Sequence, residues 1–228
     1  MAQYIETDPE NFHKRKAINL DITHRCPLEC LRCQRYFSFT SKGLKVPGGD
    51  MPMDRFEKIL DRFNHINFCG QVSDPVHHPQ FIEILKMCYD RGKSVSVHHA
   101  SGGKREDWYP QAWAAHPRAR WYWGIDGLPS ESHKYRVHQD GEKMFRLMIE
   151  STKHLKTPPI WQYIVFKYNE DHIEQAKEMV KDVDNLQFLV MNSSRWLGSN
   201  DPLKPTDPSQ SLNLNEDWKK WQKVKPAE

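Results

Sequence analysis

The chain lacks any apolar run approaching the roughly 18 residues that a membrane span requires, and residues 1–16 are polar without a hydrophobic signal core. A soluble, cytoplasmic protein with no membrane attachment is expected. A block of one charge sign is also missing: 33 Lys and Arg stand against 30 Asp and Glu, and the basic residues are scattered among the acidic ones. The net charge of +3 permits nucleic acid as a partner without arguing for it. Internal repeats and low-complexity tracts are absent. Cysteine is sparse and odd in number, five in 228 residues, with none after Cys88. Three of the five crowd into eight residues, which speaks against a disulfide framework and for a metal bound in a reducing compartment.

What is present is enough apolar residue, 38% of the chain, for one sizeable core. Runs rich in β-branched and aromatic residues recur at 17–22, 66–69, 94–98, 120–125, 160–166 and 186–191. Between them lie apolar positions at helical spacing: Phe56, Ile59, Leu60 and Phe63; Phe81, Leu85 and Cys88; Met144, Leu147, Met148 and Ser151; Ile173, Ala176, Val180 and Val183. The segment 106–115 is weaker as a helix because Pro110 interrupts it. Strands alternating with helices force parallel pairing, since each crossover helix returns the chain in the same direction. Six such units make either an open doubly wound sheet or a partial TIM-like barrel, and in both the ligand sits at the C-terminal strand ends.

Residues 198–211 turn to Ser, Asn, Asp and Pro, the composition of a linker or irregular loop. A core domain over 1–197 is therefore expected, followed by 198–228 as polar linker and C-terminal amphipathic helix. That helix, over 213–223, places Leu214, Trp218 and Trp221 on one face and is expected to pack back on the body.

The cysteines stand as Cys26-Pro27-Leu28-Glu29-Cys30-Leu31-Arg32-Cys33, a C-x3-C-x2-C spacing directly after the first strand. Three thiolates can hold three irons of a cubane and leave the fourth iron open to a ligand. The alternative is a structural zinc completed by His24, Cys69 or a later histidine, although zinc cysteines usually come as two C-x2-C pairs.

This motif in this place resembles the radical SAM superfamily, whose signature is C-x3-C-x2-C in the loop after the first strand of a partial (βα)6 TIM-like barrel. The likeness covers about residues 17–196. It implies a 4Fe-4S cluster on Cys26, Cys30 and Cys33 whose open iron binds S-adenosyl-L-methionine. An electron then splits that cofactor to methionine and a 5'-deoxyadenosyl radical, which takes a hydrogen atom from substrate. Arg32 departs from the pattern, because the family usually has an aromatic residue just before the third cysteine.

The resemblance extends to later strand ends. Gly70-Gln71-Val72-Ser73-Asp74-Pro75 looks like an altered form of the family's Gly-Gly-Glu-Pro segment, which receives the methionine amino group. It implies cofactor roles for Gly70, Gln71 and Asp74, whereas an Asp capping a turn is the plainer reading of Asp74. Ser101 in Ser101-Gly102-Gly103 is a cofactor contact by the same likeness or part of a simple turn. Ile125-Asp126-Gly127, followed by Arg136, is similar to the stretch bordering the cofactor in relatives with the SPASM extension. Asp126 is accordingly a candidate contact. Arg136 either clamps a carboxylate of cofactor or substrate, or pairs with Glu131 or Asp140 at the surface. Asn169 and Asn192, after the fifth and sixth strands, fit ribose and adenine contacts and equally fit helix caps. The pairs His77-His78 and His98-His99 cannot chelate as units, because neighbours on an extended segment point to opposite faces. His98 or His99 remains a candidate substrate contact inside the barrel.

Relatives with auxiliary clusters carry more cysteines beyond the barrel, so a single cluster is expected, reduced by an external flavodoxin or ferredoxin. Six units leave a barrel side open to a large substrate such as a peptide, a protein or a modified nucleobase. The compact form resembles radical SAM proteins of bacteria and their phages. Two other readings stand: an activase that installs a glycyl radical on a partner, and a non-catalytic zinc or iron-sulfur module.

Overall fold

The structure, a computed structural model, describes residues 17–211. Both the N-terminal segment 1–16 and the tail helix expected over 213–223, with Trp218 and Trp221, lie outside the described residues. Six strands form one parallel sheet: β1 Ala17–Leu20, β2 His65–Phe68, β3 Ser94–His99, β4 Arg120–Gly124, β5 Ile160–Ile164 and β6 Gln187–Met191. Their order in space is their order in the chain. A doubly wound sheet reverses direction at a switch point. An unreversed order is that of a barrel, and since no pairing joins β1 to β6 among the described residues, this is an open, partial (βα)6 barrel.

The helices α1 Gln34–Ser38, α2 Met53–Leu60, α3 Phe81–Asp90, α4 Trp108–Ala115, α5 Gly141–Ser151 and α6 Ile173–Val180 lie between the strands. Spacing explains their packing: α2 buries Phe56 and Leu60 one turn apart, and α3 buries Phe81, Ile84, Leu85 and Cys88 along one stripe. Pro110 does not prevent α4, because it sits third in the helix, where the backbone N–H has no intrahelical acceptor to lose. No helix among the described residues is long and apolar enough to cross a membrane.

Parallel register puts facing residues on one side of the sheet. Ile66, Phe68, Val95, Val97, Trp121, Trp123, Trp161 and Tyr163 face the helices and are buried. The opposite face, toward the barrel axis, carries Asn19, Asn67, Ser96, His98, Tyr122 and Gln162. Strands in parallel sheets are usually apolar on both faces. The polar alternation here marks the axial face as something other than core.

Residues 198–211, after Leu197, pack on the barrel. Asp201, Leu203 and Asn192 bind them to it, as set out below.

Candidate cofactor site

Asp21 follows β1 and anchors the mouth. Its carboxylate accepts from the Gln71 N–H at 3.0 Å and the Ser73 hydroxyl at 2.7 Å, tying the loop after β2 to the loop after β1. Further stitches hold the cysteine loop on both sides. The Asp74 N–H donates to the Arg25 carbonyl at 3.0 Å, while the Glu29 and Leu31 N–H groups donate to Val137 and Tyr135 at 3.2 Å each. Arg35, from α1, donates to the carbonyls of His24 at 2.5 Å and Val72 at 3.1 Å. None of these partners was legible in the motif, although each lies within a few residues of a strand end.

The loop rests on an apolar shelf of Leu28, Cys30, Tyr135, Phe166 and Leu203, against which Cys26 and Cys33 pack half-buried. Burial pushes the Cys30 thiol up to about 11, with the Arg136 guanidinium pulling the other way. Cys26 is raised by burial and then by the charge of Asp74. Thiolates in such surroundings need a compensating positive centre. All three thiols are free, Cys30 lies close enough to feel both of the others, and no disulfide competes for them. Among the described residues, no three Cys, His, Asp or Glu side chains converge on one point as a mononuclear ion demands. Neither His24, Cys69 nor a later histidine among the described residues joins the three in such a group. Three thiols on one loop could each take one iron of a cubane.

The turn after β2 depends on Gly70, whose φ is +57° and whose absent Cβ would lie 2.4 Å from the Ser73 carbonyl oxygen. Gln71 is exposed at the mouth. Asp74 is instead consumed by the protein. Its carboxylate accepts from His99 Nδ1 at 3.1 Å, from the N–H groups of Ala100 and Ser101 at 2.9 Å each, and from the Val76 N–H at 3.3 Å. Burial opposes its ionisation, but His99 and these donors hold it well below the usual carboxylate range. Asp74 thus acts as a strut between two strand ends and also caps the turn. Ser101 joins the same network, its hydroxyl 2.8 Å from His77 Nε2. The adjacent histidines diverge: His99 packs with Tyr109, Trp121 and Trp123, and His98 stacks on Tyr122.

At the end of β4, Asp126 is fully buried and accepts from the Ile164 N–H at 2.8 Å. Its other oxygen lies 2.7 Å from Arg136 Nε. The guanidinium lies over Gly124, where a Cβ would sit 2.6 Å from Nη2. Burial works against the Arg136 charge, yet Asp126 and Cys30 hold it. Neither surface partner expected for Arg136 is used: Glu131 pairs with His172 at 2.7 Å, and Asp140 caps α5 by accepting from the Lys143 N–H at 2.9 Å.

No family model matches the chain, and no curated protein matches it by sequence. Solved structures match it by fold. TYW1 with a lysine-pyruvate adduct bound superposes with a TM-score of 0.56 at 15% identity, over 94% of this chain and 76% of that one. The protein anSMEcpe with bound AdoMet gives 0.59 at 16%, over 85% and 54%. A radical SAM methyltransferase from Sphaerobacter thermophilus gives 0.53 at 8%, over 91% and 62%. The fold is that of the radical SAM enzymes. The chain spans little more than half the length of anSMEcpe.

Within this radical SAM fold the remaining candidates sort by burial. Asn169 is fully buried, accepting from the Phe166 N–H at 2.7 Å and donating to the Ile164 carbonyl at 3.1 Å. These bonds lock the exit of β5. Asn192 is half-exposed and donates to the Ser209 carbonyl at 3.2 Å, tethering the returning segment. Arg32, the odd residue beside the third cysteine, has a structural reason. Its guanidinium forks onto Asp201 at 3.0 and 2.8 Å and reaches the Leu31 carbonyl at 2.9 Å. Asp201 also accepts from the Leu197 and Leu203 N–H groups at 2.6 and 2.9 Å. Leu203 fills the shelf beneath Cys30, and its carbonyl accepts from Lys167 at 3.0 Å. The polar composition of 198–211 concealed this because a single buried carboxylate and one leucine do the anchoring.

Proposed function

We propose that this chain is a radical SAM enzyme with one 4Fe-4S cluster on Cys26, Cys30 and Cys33. The observation that carries the reading is the placement of three free thiols, on a stitched loop over an apolar shelf, at the C-terminal mouth of an open six-stranded barrel. When bound, the cluster and S-adenosyl-L-methionine supply a reductive cleavage that yields methionine and a 5'-deoxyadenosyl radical for hydrogen abstraction.

The chain's own part is to hold and shield. Tyr135, Phe166 and Trp196 form an aromatic floor that keeps water from the thiols. The main chain of Gly70, the exposed Gln71, the largely buried Arg136 guanidinium and Asn192 receive the cofactor at the mouth. Behind them Asp74, Ser101, Asp126 and Asn169 fix the strand ends that present those groups. The electron comes from outside, from a flavodoxin or ferredoxin, and the substrate enters by the open side of the barrel.

Anaerobic reconstitution tests this. About four irons per chain, a brown colour that bleaches with dithionite, and release of 5'-deoxyadenosine from S-adenosylmethionine are expected. A stable, colourless zinc protein that leaves the cofactor intact would refute it.

A further inference from the structure

Tyr109 is a buried side chain to which the cluster and cofactor chemistry gives no part. It is the second residue of α4, after Trp108, whose ring stacks on Phe81 at 6.3 Å, and before Pro110, whose fixed φ suits the first turn of a helix. The phenol is fully buried. A buried phenol needs a hydrogen-bond partner. Its oxygen lies 3.0 Å from Nε2 of His99, the last residue of β3.

The order of protons along this line follows from Asp74. Its carboxylate stays ionised, and His99 Nδ1 lies 3.1 Å from both of its oxygens, so Nδ1 carries the proton and donates it. Nε2 then keeps its lone pair and accepts from the Tyr109 hydroxyl, whose proton is held by burial and by the charge of Asp74. The opposite tautomer would set the Nδ1 lone pair against a carboxylate.

The line continues beyond Asp74. The same carboxylate accepts from the N–H groups of Val76, Ala100 and Ser101, and the Asp74 N–H donates at 3.0 Å to the carbonyl of Arg25, directly before Cys26. The Ser101 hydroxyl meets His77, and a Cβ on Gly103 would lie 2.9 Å from the His77 ring and 3.5 Å from Pro27 Cγ, so the histidine and the cysteine loop close on Gly103 together. Two side chains thereby join α4 to the loops after β1, β2 and β3. We propose that Tyr109 and His99 are positioning residues for S-adenosyl-L-methionine: the Tyr109 hydroxyl fixes the tautomer of His99, and His99 fixes the Asp74 carboxylate on which the loop carrying Gly70 and Gln71 is braced. Both act through Asp74. This deepens the radical SAM reading and rests on it.

Two measurements on the full-length, anaerobically reconstituted protein test it. Long-range 1H–15N NMR, with His99 assigned from the spectrum of His99→Asn, is expected to show a proton on Nδ1 and none on Nε2 at about pH 8. A ring protonated on Nε2, or on both nitrogens, overturns the proposal. Equilibrium dialysis of S-adenosylmethionine without reductant, well below the unfolding temperature, gives the affinities. Tyr109→Phe should raise Kd about fivefold and His99→Leu about tenfold. His99→Asn, whose amide can still donate to Asp74, should bind within about twofold of the parent. A brace with no bearing on the cofactor would lower the melting temperature and leave every Kd unchanged, which overturns the proposal, as does a His99→Asn protein that binds no better than His99→Leu. If His99→Leu fails to fold, Tyr109→Phe decides, since it removes one hydroxyl. A parent that binds no S-adenosylmethionine refutes the radical SAM reading and this proposal together; a parent that binds, with Tyr109→Phe binding equally well, refutes this proposal alone.

Discussion

Cys30 lies opposite Arg136, between the two main-chain bonds that join Glu29 to Val137 and Leu31 to Tyr135, and the Arg136 guanidinium is held in turn 2.7 Å from Asp126. A thiol, a fixed cation and a buried carboxylate are thus arranged in series at one strand end. Net charge near a cluster helps set its reduction potential.

Replacing Arg136 by Gln is expected to lower the cluster potential by tens of millivolts, because a positive charge beside a ligating sulfur favours the reduced state. Asp126→Asn should shift it upward, since the guanidinium then loses its compensating anion. Potentiometric titration followed by electron paramagnetic resonance distinguishes opposite shifts from a loss of cluster, which would reduce spin count for both.

Asp201 to Ala leaves the Arg32 guanidinium buried and unpaired and strips acceptors from two N–H groups. A loss of about 3 kcal/mol is expected in urea unfolding. The double change Arg32→Met with Asp201→Leu should recover much of it, because no charge is then stranded. A double variant as unstable as the single one would show that the fork is not what holds the segment.

Asp74 carries a pH signature. Its carboxyl is held below the ordinary value of 3.8, so its contribution to stability is complete above that pH and is lost as the pH falls beneath it. The parent protein should therefore lose more stability between about pH 5 and pH 2 than Asp74→Asn, which starts lower at neutral pH. Chemical denaturation across that range provides the comparison, and parallel curves would contradict the strut.

Alanine at Cys26, Cys30 or Cys33 should abolish 5'-deoxyadenosine release while the far-ultraviolet spectrum remains. Cys69→Ser and Cys88→Ala should keep about four irons per chain, since Cys88 is buried on α3 and Cys69 lies just past β2. Iron analysis of all five variants reads this directly.

The six strands were legible because their β-branched and aromatic runs are separated by helical spacing, and α4 was obscured only by Pro110, whose harmless position depends on where the helix starts. Strand order was not legible. Alternating strands and helices fit both an open wound sheet and a barrel, and the choice rests on which edges pair. The anchoring of residues 198–211 was not legible because composition reports average polarity, whereas Asp201 and Leu203 anchor that segment singly.

Sequence alone determined which residues stand at each strand end, because strand propensity and the cysteine spacing are local properties. It also put the three thiols on one loop. Only the tertiary structure decided what those residues do. Asp74 and His99 are 25 positions apart, Arg32 and Asp201 are 169 apart, and each pairing arises where two loops meet at the mouth. Whether a polar side chain faces a ligand or braces a neighbour depends on its burial and on the partners brought beside it, and those are set by the closing of the fold rather than by the order of the chain.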